Sequence, residues 1–397
     1  MSSADATAEA PVPAVATAAA AAEPDVSVVI PCLNEEEGIA HVVGQAFAGL
    51  AAAGLAGEVI VVDNASSDRS AERARAAGAS VVYEPRRGYG SAYLAGLAAA
   101  RGRYVVMADG DGTYPLETLG EFVERLRAGA EIVIGNRFGG TIQPGAMPWP
   151  NRYIGNPALT GMLNLFFRSG VSDAHCGLRA IRRDVLPQLK LSATGMEFAS
   201  EMVIKAGKRR LRVDEVAVDY RRRIGSSKLV RGRDAWRHVR FMLVYSPTFL
   251  FAVPGALATL GGLAGVVTLA IWNSLGEPWT GVAIGFSMLA IVGLGTIQLG
   301  LFARTYAVVY LGEHDARLER GWRRFRLEHG LALAGVTLVV GLAIAVVSLV
   351  DGVPDPRLGL LGLTLAAVAV QGAFAAFFLS ILGLSEHAIL RRHRSEA

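Results

Sequence analysis

Two cysteines in 397 residues, Cys32 and Cys176, are too few to frame a fold of this size. That excludes a disulfide scaffold and points to a reducing compartment. The first 24 residues contain no Lys or Arg and no continuous apolar run. A secretory signal needs both, so none is expected, and this Ala-, Pro-, Ser- and Thr-rich segment reads as a disordered tail. Charge is also scarce, 19% of residues against 52% hydrophobic, with a mean hydropathy of +0.37. Such an average is too apolar for an ordinary soluble chain and too charged for a pure membrane bundle.

Splitting the chain after Arg240 resolves the average. Residues 1–240 hold 29 Lys/Arg and 26 Asp/Glu, whereas the remaining 157 hold 10 and 9 in short clusters. A soluble domain over 25–240 followed by a membrane domain over 241–397 is therefore expected. From Val26 onward, short Val- and Ile-rich runs alternate with longer helical patterns. The runs Val26–Ile30, Val59–Val62, Ser80–Tyr83, Tyr104–Ala108 and Glu131–Ile134 read as buried parallel strands. Crossover helices are expected over Glu36–Ala53, Asp68–Ala77, Gly90–Ala100 and Pro115–Arg127. This predicts a doubly wound α/β sheet with ligands at the carboxyl ends of its strands. Further on, Ile154–Phe167 reads as an amphipathic or interfacial helix, Gly195–Ala206 as a helix and Leu211–Val218 as a strand.

Four charge-free stretches follow: Phe241–Gly276, Pro278–Ala303, Gly330–Val350 and Leu358–Ser385. Each supplies the roughly 20 apolar residues of a spanning helix. The first turn carries Glu277 and no base, while the second loop carries Arg304, Arg317, Arg320, Arg323, Arg324 and Arg326. The third loop holds Asp351, Asp355 and Arg357, and the tail ends in Arg391, Arg392 and Arg394. This alternation predicts a multi-pass protein with the soluble domain and both termini in the cytoplasm. Residues 205–240, just before the first span, hold 13 Lys/Arg against 4 Asp/Glu. Few aromatics interleave with that basic run, so lipid headgroups or a lipid phosphate are expected as partners and nucleic acid is not.

The polar signatures fall at predicted strand ends. Asp109-Gly110-Asp111 follows Tyr104–Ala108, and two carboxylates one residue apart can grip a hard divalent cation with the diphosphate it neutralises. Pro31-Cys32-Leu33-Asn34-Glu35 ends the first strand and Asp63-Asn64-Ala65-Ser66-Ser67-Asp68 the second. Asp68 suits a helix start, whereas Asp63 suits the polar edge of a nucleobase or ribose. Arg86-Arg87-Gly88-Tyr89-Gly90 offers glycines and cations to phosphates. His175 has no second His or Cys at metal-ligand spacing except adjacent Cys176, so it reads as a loop residue. Gln298 and Gln371 read as hydrogen-bonding residues between spans.

Taken in order, these motifs resemble family 2 glycosyltransferases of the GT-A fold. Ile134-Gly135-Asn136-Arg137-Phe138, Asp173-Ala174-His175-Cys176-Gly177-Leu178-Arg179 and Arg223-Ile224-Gly225-Ser226-Ser227-Lys228-Leu229 extend the likeness to dolichol-phosphate mannose synthases and related polyprenyl-phosphate glycosyltransferases. The resemblance implies a Rossmann-like GT-A catalytic domain followed by an α-helical transmembrane domain of four helices. It also implies that Asp109 and Asp111 hold Mg²⁺ or Mn²⁺ against a nucleotide sugar, with Arg137 joining them in the catalytic set. Pro31, Asn34, Glu35, Asp63 and Gly88 would bind the donor. Arg137, Arg223, Ser227 and Lys228 would gather around the phosphate of a polyprenyl or dolichyl acceptor.

Two positions depart from the pattern. Asn64 replaces the second Asp of the usual pair, leaving base preference open. Thr113 stands where the mannose synthases often carry Gln, which puts a direct third metal ligand in doubt. A lipid phosphate is largely dianionic at neutral pH and needs no general base, so the expected reaction is an inverting, in-line transfer of one sugar with no catalytic base assigned. Glu197 is a candidate positioning residue, with an ordinary helix-surface carboxylate as the alternative. Two other readings stay open: transfer to a lipid or polysaccharide hydroxyl, and a non-catalytic scaffold or transporter with a nucleotide-sugar-binding domain.

Overall fold

The computed structural model describes residues 23–225, 231–271, 278–311, 318, 320, 327–350 and 356–395. The tail expected at the start thus lies almost wholly outside the described residues, as do Ser227 and Lys228. The chain divides into two compact units. The first comprises residues through Pro157, Val171–Met202 and Arg209–Leu229, and the second Ala158–Gly170, Val203–Lys208 and the chain from Val230.

The order of elements begins β1 (Val26–Cys32), α1 (Ile39–Ala52), β2 (Gly57–Asp63), α2 (Ser70–Ala76), β3 (Ser80–Tyr83), α3 (Tyr89–Ala99) and β4 (Tyr104–Met107). It continues with α4 (Leu119–Arg127), β5 (Ile132–Asn136), α5 (Asn156–Phe167), β6 (Arg179–Arg182), α6 (Leu186–Leu189), α7 (Phe198–Arg209) and β7 (Val213–Ala217). The seven strands form one sheet in the order β3-β2-β1-β4-β6-β5-β7. Strands β1 to β4 pair in parallel, and β5 pairs in parallel with β7. Covered on both faces, the central strands bury Val28, Val29, Ile30, Val61, Val62, Val105 and Val106, hence their continuous apolar runs. Helix α1 buries Ile39, Val42, Val43, Ala46 and Leu50, a single stripe at helical spacing.

One expectation is corrected in detail. The sheet is not wholly parallel, because β6 inserts antiparallel between β4 and β5. Its sequence, Arg179-Ala180-Ile181-Arg182, begins and ends on arginine and so lacks the apolar run that marked β1 to β5. The arginines do not disqualify it, since Arg179 is buried and hydrogen-bonded rather than solvated. This reversed strand returns the chain to the end of β4, where Asp109 begins the next loop.

The second unit contains α8 (Arg231–Val244), α9 (Val253–Ile271), α10 (Pro278–Leu311), α11 (Leu327–Val350) and α12 (Pro356–Ser395). Among the described residues, four helical segments are long and apolar enough to cross a membrane: Thr248–Ile271, Trp279–Val309, Leu327–Leu349 and Pro356–Leu382. Small residues set their packing. The α-carbons of Gly255 in α9 and Gly293 in α10 face each other so closely that a Cβ on either would lie 2.8 Å from the partner's carbonyl oxygen. Gly341 in α11 and Gly362 in α12 form an equivalent contact. Thr364 donates to Ser287 at 2.9 Å, joining α12 to α10, and Gln371 of α12 reaches the bare face of Gly295 in α10.

Candidate active site

The carboxylate pair leaves β4 on a loop that the neighbouring backbone shapes. Gly112 has φ +73°, in the left-handed region where a side chain is strained. Each carboxylate has one oxygen held by a hydroxyl. Tyr89 donates to Asp109 Oδ1 at 2.9 Å, and Thr113 donates to Asp111 Oδ1 through its hydroxyl at 2.6 Å and its N–H at 3.1 Å. Burial and then the charge of Asp111 push the Asp109 carboxyl up to about 6, against the pull of the Tyr89 bond and of Arg137 and Arg223. Burial, with the charge of Asp109, also drives the Tyr89 phenol well above its ordinary range, so it is a donor here.

Arg223 completes this corner. Its Nη2 lies 3.0 Å from Glu35 Oε1 and 3.5 Å from Asp111 Oδ2. Two backbone bonds lash its segment to the loop: Arg221 N–H to Thr113 O at 2.9 Å and Ile224 N–H to Asp111 O at 2.8 Å. Among the described residues, the buried Nε of Arg223 meets no acceptor.

The expected donor residues lie at the ends of β1 and β2. Pro31 belongs to β1 itself. Asn34, at φ +53°, accepts from Ser67 N–H at 2.8 Å, and its own N–H donates to Ser66 Oγ at 3.0 Å, so the two loops are stapled together. Asp63 accepts from Ser66 N–H at 3.1 Å, closing a local turn. Asp68 accepts from Ser70 N–H at 3.0 Å at the start of α2, as its position suggested.

Asn64 has a structural task that its sequence position did not reveal. Its amide donates to Glu84 O at 3.0 Å and Arg86 O at 2.8 Å, while its Oδ1 accepts from Gly88 N–H at 2.7 Å. One side chain thus makes three bonds to the Glu84–Gly88 turn, which Glu84 Oε1 also braces by accepting from Arg86 N–H at 2.8 Å. Gly88 and Gly90 in turn press against the carbonyls of Thr194 and Ala193, leaving no room for a Cβ at either position. That covering segment is held by Glu201, wholly buried, which accepts from Ser192 N–H and Oγ and from Ala193 N–H. Glu197 accepts from Gly195 N–H at 3.3 Å, and its buried Oε2 has no partner among the described residues.

Arg137 is 6% exposed and gripped by Asp173, which is fully buried. The pair is bidentate, Nε to Oδ2 at 2.6 Å and Nη2 to Oδ1 at 2.8 Å. The guanidinium also lies over the Tyr220 ring, 5.3 Å from its centroid. Arg179, the last residue of the Asp-x-x-x-Gly-x-Arg motif, is spent on carbonyls: Cys176 O, Ala199 O and Ala174 O, all within 2.8 Å. His175 lies 3.2 Å from Ser200 Oγ, and no group of three His, Cys, Asp or Glu suited to a metal occurs among the described residues. Burial pushes the Cys32 thiol up to about 11 and that of Cys176 to about 12, so neither is a nucleophile.

The structure therefore joins Asp111 and Glu35 through Arg223, sets Asp109 within electrostatic reach of Asp111 and Arg223, and ties Asp109 to the Gly88 turn through Tyr89. Arg137 acts on Asp109 electrostatically but shares no carboxylate with Arg223. Tyr89, Asp173 and Glu201 are the residues that sequence reasoning left without roles. Tyr89 carried a local signal as an aromatic between two glycines, and Asp173 as the first residue of the Asp-x-x-x-Gly-x-Arg motif, whereas Glu201 carried none.

Comparison with known proteins identifies the family. Residues 27–190 match the glycosyl transferase family 2 domain, and residues 301–383 match the glycosyltransferase family 2 C-terminal transmembrane region. The low-salt glycan biosynthesis hexosyltransferase of Haloferax volcanii is 37% identical over 373 residues, covering 91% of this chain and 89% of that protein. The dolichyl-phosphate hexose transferase of the same organism is 36% identical over 208 residues, 52% of this chain and 86% of its own. A crystal structure of glucosyl-3-phosphoglycerate synthase from Mycobacterium tuberculosis, with Mn²⁺, UDP and glucosyl-3-phosphoglycerate, is 25% identical with a TM-score of 0.47, covering 57% of this chain and 81% of that one.

Proposed function

The chain belongs to glycosyltransferase family 2, and on that premise we propose that it transfers a single hexose, with inversion, from a GDP- or UDP-linked donor to polyprenyl or dolichyl phosphate. It is an integral membrane glycosyltransferase, with a GT-A domain followed by four apolar helices. In our reading the catalytic domain spans 25–240, the membrane domain spans 241–397, and the catalytic domain and both termini face the cytoplasm, where nucleotide sugars and the basic segment before the first span would meet the acceptor.

One observation carries the proposal: a guanidinium with a buried, unpartnered donor, Arg223, stands beside the Asp109/Asp111 pair. Paired carboxylates and an unsatisfied guanidinium together suit a diphosphate and its counter-cation. Asp109 and Asp111 would hold Mg²⁺ or Mn²⁺ through hard carboxylate oxygens. Bound there, the cation supplies charge neutralisation to the departing nucleoside diphosphate. Pro31, Asn34, Glu35, Asp63 and Gly88 hold the donor. Arg223, and Arg137 through the edge not used by Asp173, meet phosphate oxygens; Ser227 and Lys228 follow in the same segment. The acceptor phosphate, a dianion near pH 7, attacks the anomeric carbon without a general base, so the protein's work is alignment and charge balance.

Membranes containing the protein, incubated with polyprenyl phosphate and a panel of labelled nucleotide sugars, test this reading. A labelled, organic-extractable product that disappears in Asp111→Ala supports it, and label found only in water-soluble polymer overturns it. Transfer to a hydroxyl is the second reading, and it requires a carboxylate base. Glu197, with its buried free oxygen, is the residue to try: Glu197→Gln abolishes transfer in that scheme and spares it in ours.

A further inference from the structure

A carboxylate that binds a cation with one oxygen needs something to fix the other, or it rotates between equivalent poses. In this site both carboxylates are fixed in the same manner, by hydroxyl donors from different parts of the chain. Tyr89, from the start of α3, takes Asp109 Oδ1, and Thr113, two residues past Asp111, takes Asp111 Oδ1. The Oδ2 atoms are left. That of Asp109 packs so close to Gly177 that a side chain there would strike it, and that of Asp111 faces the cationic Arg223.

Both hydroxyls are themselves held rigidly. The Tyr89 ring packs edge-on against Tyr93 at 4.8 Å between centroids, and Tyr93 stacks on Phe198 at 5.4 Å with a 10° interplanar angle. The glycines on either side of Tyr89 are pinned under the Ala193 and Thr194 carbonyls, and Ser91 N–H donates to Thr194 O at 3.1 Å. Thr113 is 1% exposed, and its carbonyl accepts from Arg221 N–H. Each hydroxyl is thereby held as a donor to its carboxylate.

We infer that Tyr89 and Thr113 are paired positioning residues, each turning one carboxylate so that Asp109 and Asp111 present a single oxygen, Oδ2, to the divalent cation. This rests on the metal-dependent reading above and deepens it. Thr113 acts through Asp111: this position orients a carboxylate and does not supply a third protein ligand. Loss of an outer hydrogen-bond partner typically weakens metal binding by about 10- to 100-fold.

The test is Mn²⁺ titration of the full-length protein in detergent, followed by the EPR signal of free Mn²⁺, with and without UDP or GDP. Tyr89→Phe keeps the ring stack and removes only the hydroxyl, while Thr113→Val keeps the shape and the backbone N–H bond to Asp111 Oδ1 and removes the hydroxyl donor. Each should weaken Mn²⁺ binding by about 10- to 100-fold, and Thr113→Ser, which restores the hydroxyl, should return it to the wild-type value. Unchanged Mn²⁺ affinity in both Tyr89→Phe and Thr113→Val overturns the inference while leaving the metal site standing. A Thr113→Ser variant as weak as Thr113→Val also overturns it, because the methyl group and not the hydroxyl would then matter. Wild-type protein that binds no Mn²⁺ with either nucleotide removes the metal reading, and this inference falls with it.

Discussion

The Arg223 guanidinium lies 3.5 Å from Asp111 Oδ2, the oxygen that a divalent cation would contest. The protein thus brings its own positive charge to the site before any ligand arrives. Arg223→Ala removes that competitor, so Mn²⁺ binding without nucleotide should tighten. The arginine side chain is 24% exposed and solvent screens the pair, which limits the gain to about three- to tenfold. Binding of UDP or GDP should weaken in the same variant, because the diphosphate loses a guanidinium. Mn²⁺ titrations with and without nucleotide measure both effects, and an unchanged metal affinity contradicts the competition.

Arg137 and Asp173 form the best-buried ion pair at the site. Removing one partner strands the other charge in a low-dielectric environment, at a cost of about 3–5 kcal/mol. Asp173→Asn should therefore lower the melting temperature of the detergent-solubilised protein by on the order of 10 °C. The double variant Asp173→Asn with Arg137→Met leaves no stranded charge and should melt above the single one. Equal melting temperatures for the two would show that the pair contributes packing and not charge balance.

Much of the first unit could be read directly from residues. The Val- and Ile-rich runs located β1, β2, β4 and β5 because burial on both faces demands apolar side chains without interruption, whereas Ser80–Tyr83, also expected to be buried, is a partly exposed edge strand. The Asp109/Asp111 pair was visible because it follows such a run. Strand β6 was not, since its identity depends on Arg179 finding three carbonyls inside the fold. The partners of Arg137 and Arg223 were equally hidden: Asp173 lies 36 residues from Arg137, and Glu35 lies 188 from Arg223. Pattern reasoning reaches across a helical turn or a strand end, whereas these pairs exist only once the sheet closes.

Asn64 shows how a departure from a motif acquires a meaning. An aspartate there would still accept from Gly88 N–H, but it would face the Glu84 and Arg86 carbonyls with oxygen in place of a donor. Each carbonyl left unpaired costs about 1–3 kcal/mol. Asn64→Asp should loosen the Glu84–Gly88 turn, seen as faster amide hydrogen exchange there, and raise the KM for the donor more than it lowers kcat. Exchange at wild-type rates would show that the turn does not depend on this amide.

The raised Asp109 carboxyl sets a pH dependence with a definite sign. Its ordinary value of 3.8 moves to about 6, first through burial and then through the charge of Asp111. The folded protein therefore holds this proton more tightly than the unfolded chain. The stability that the proton confers is complete below 3.8 and is lost as pH rises through about 6. A divalent cation needs the ionised form and competes with the same proton. Mn²⁺ binding should weaken by about tenfold for each pH unit below 6, and level off above 7. Titrations at pH 5, 6, 7 and 8 measure this, with Asp109→Asn as the variant in which the proton-linked slope disappears. A wild-type affinity that stays flat from pH 5 to 7 would place the carboxylate in a far more polar setting than the one formed by Tyr89, Gly177 and Asp111.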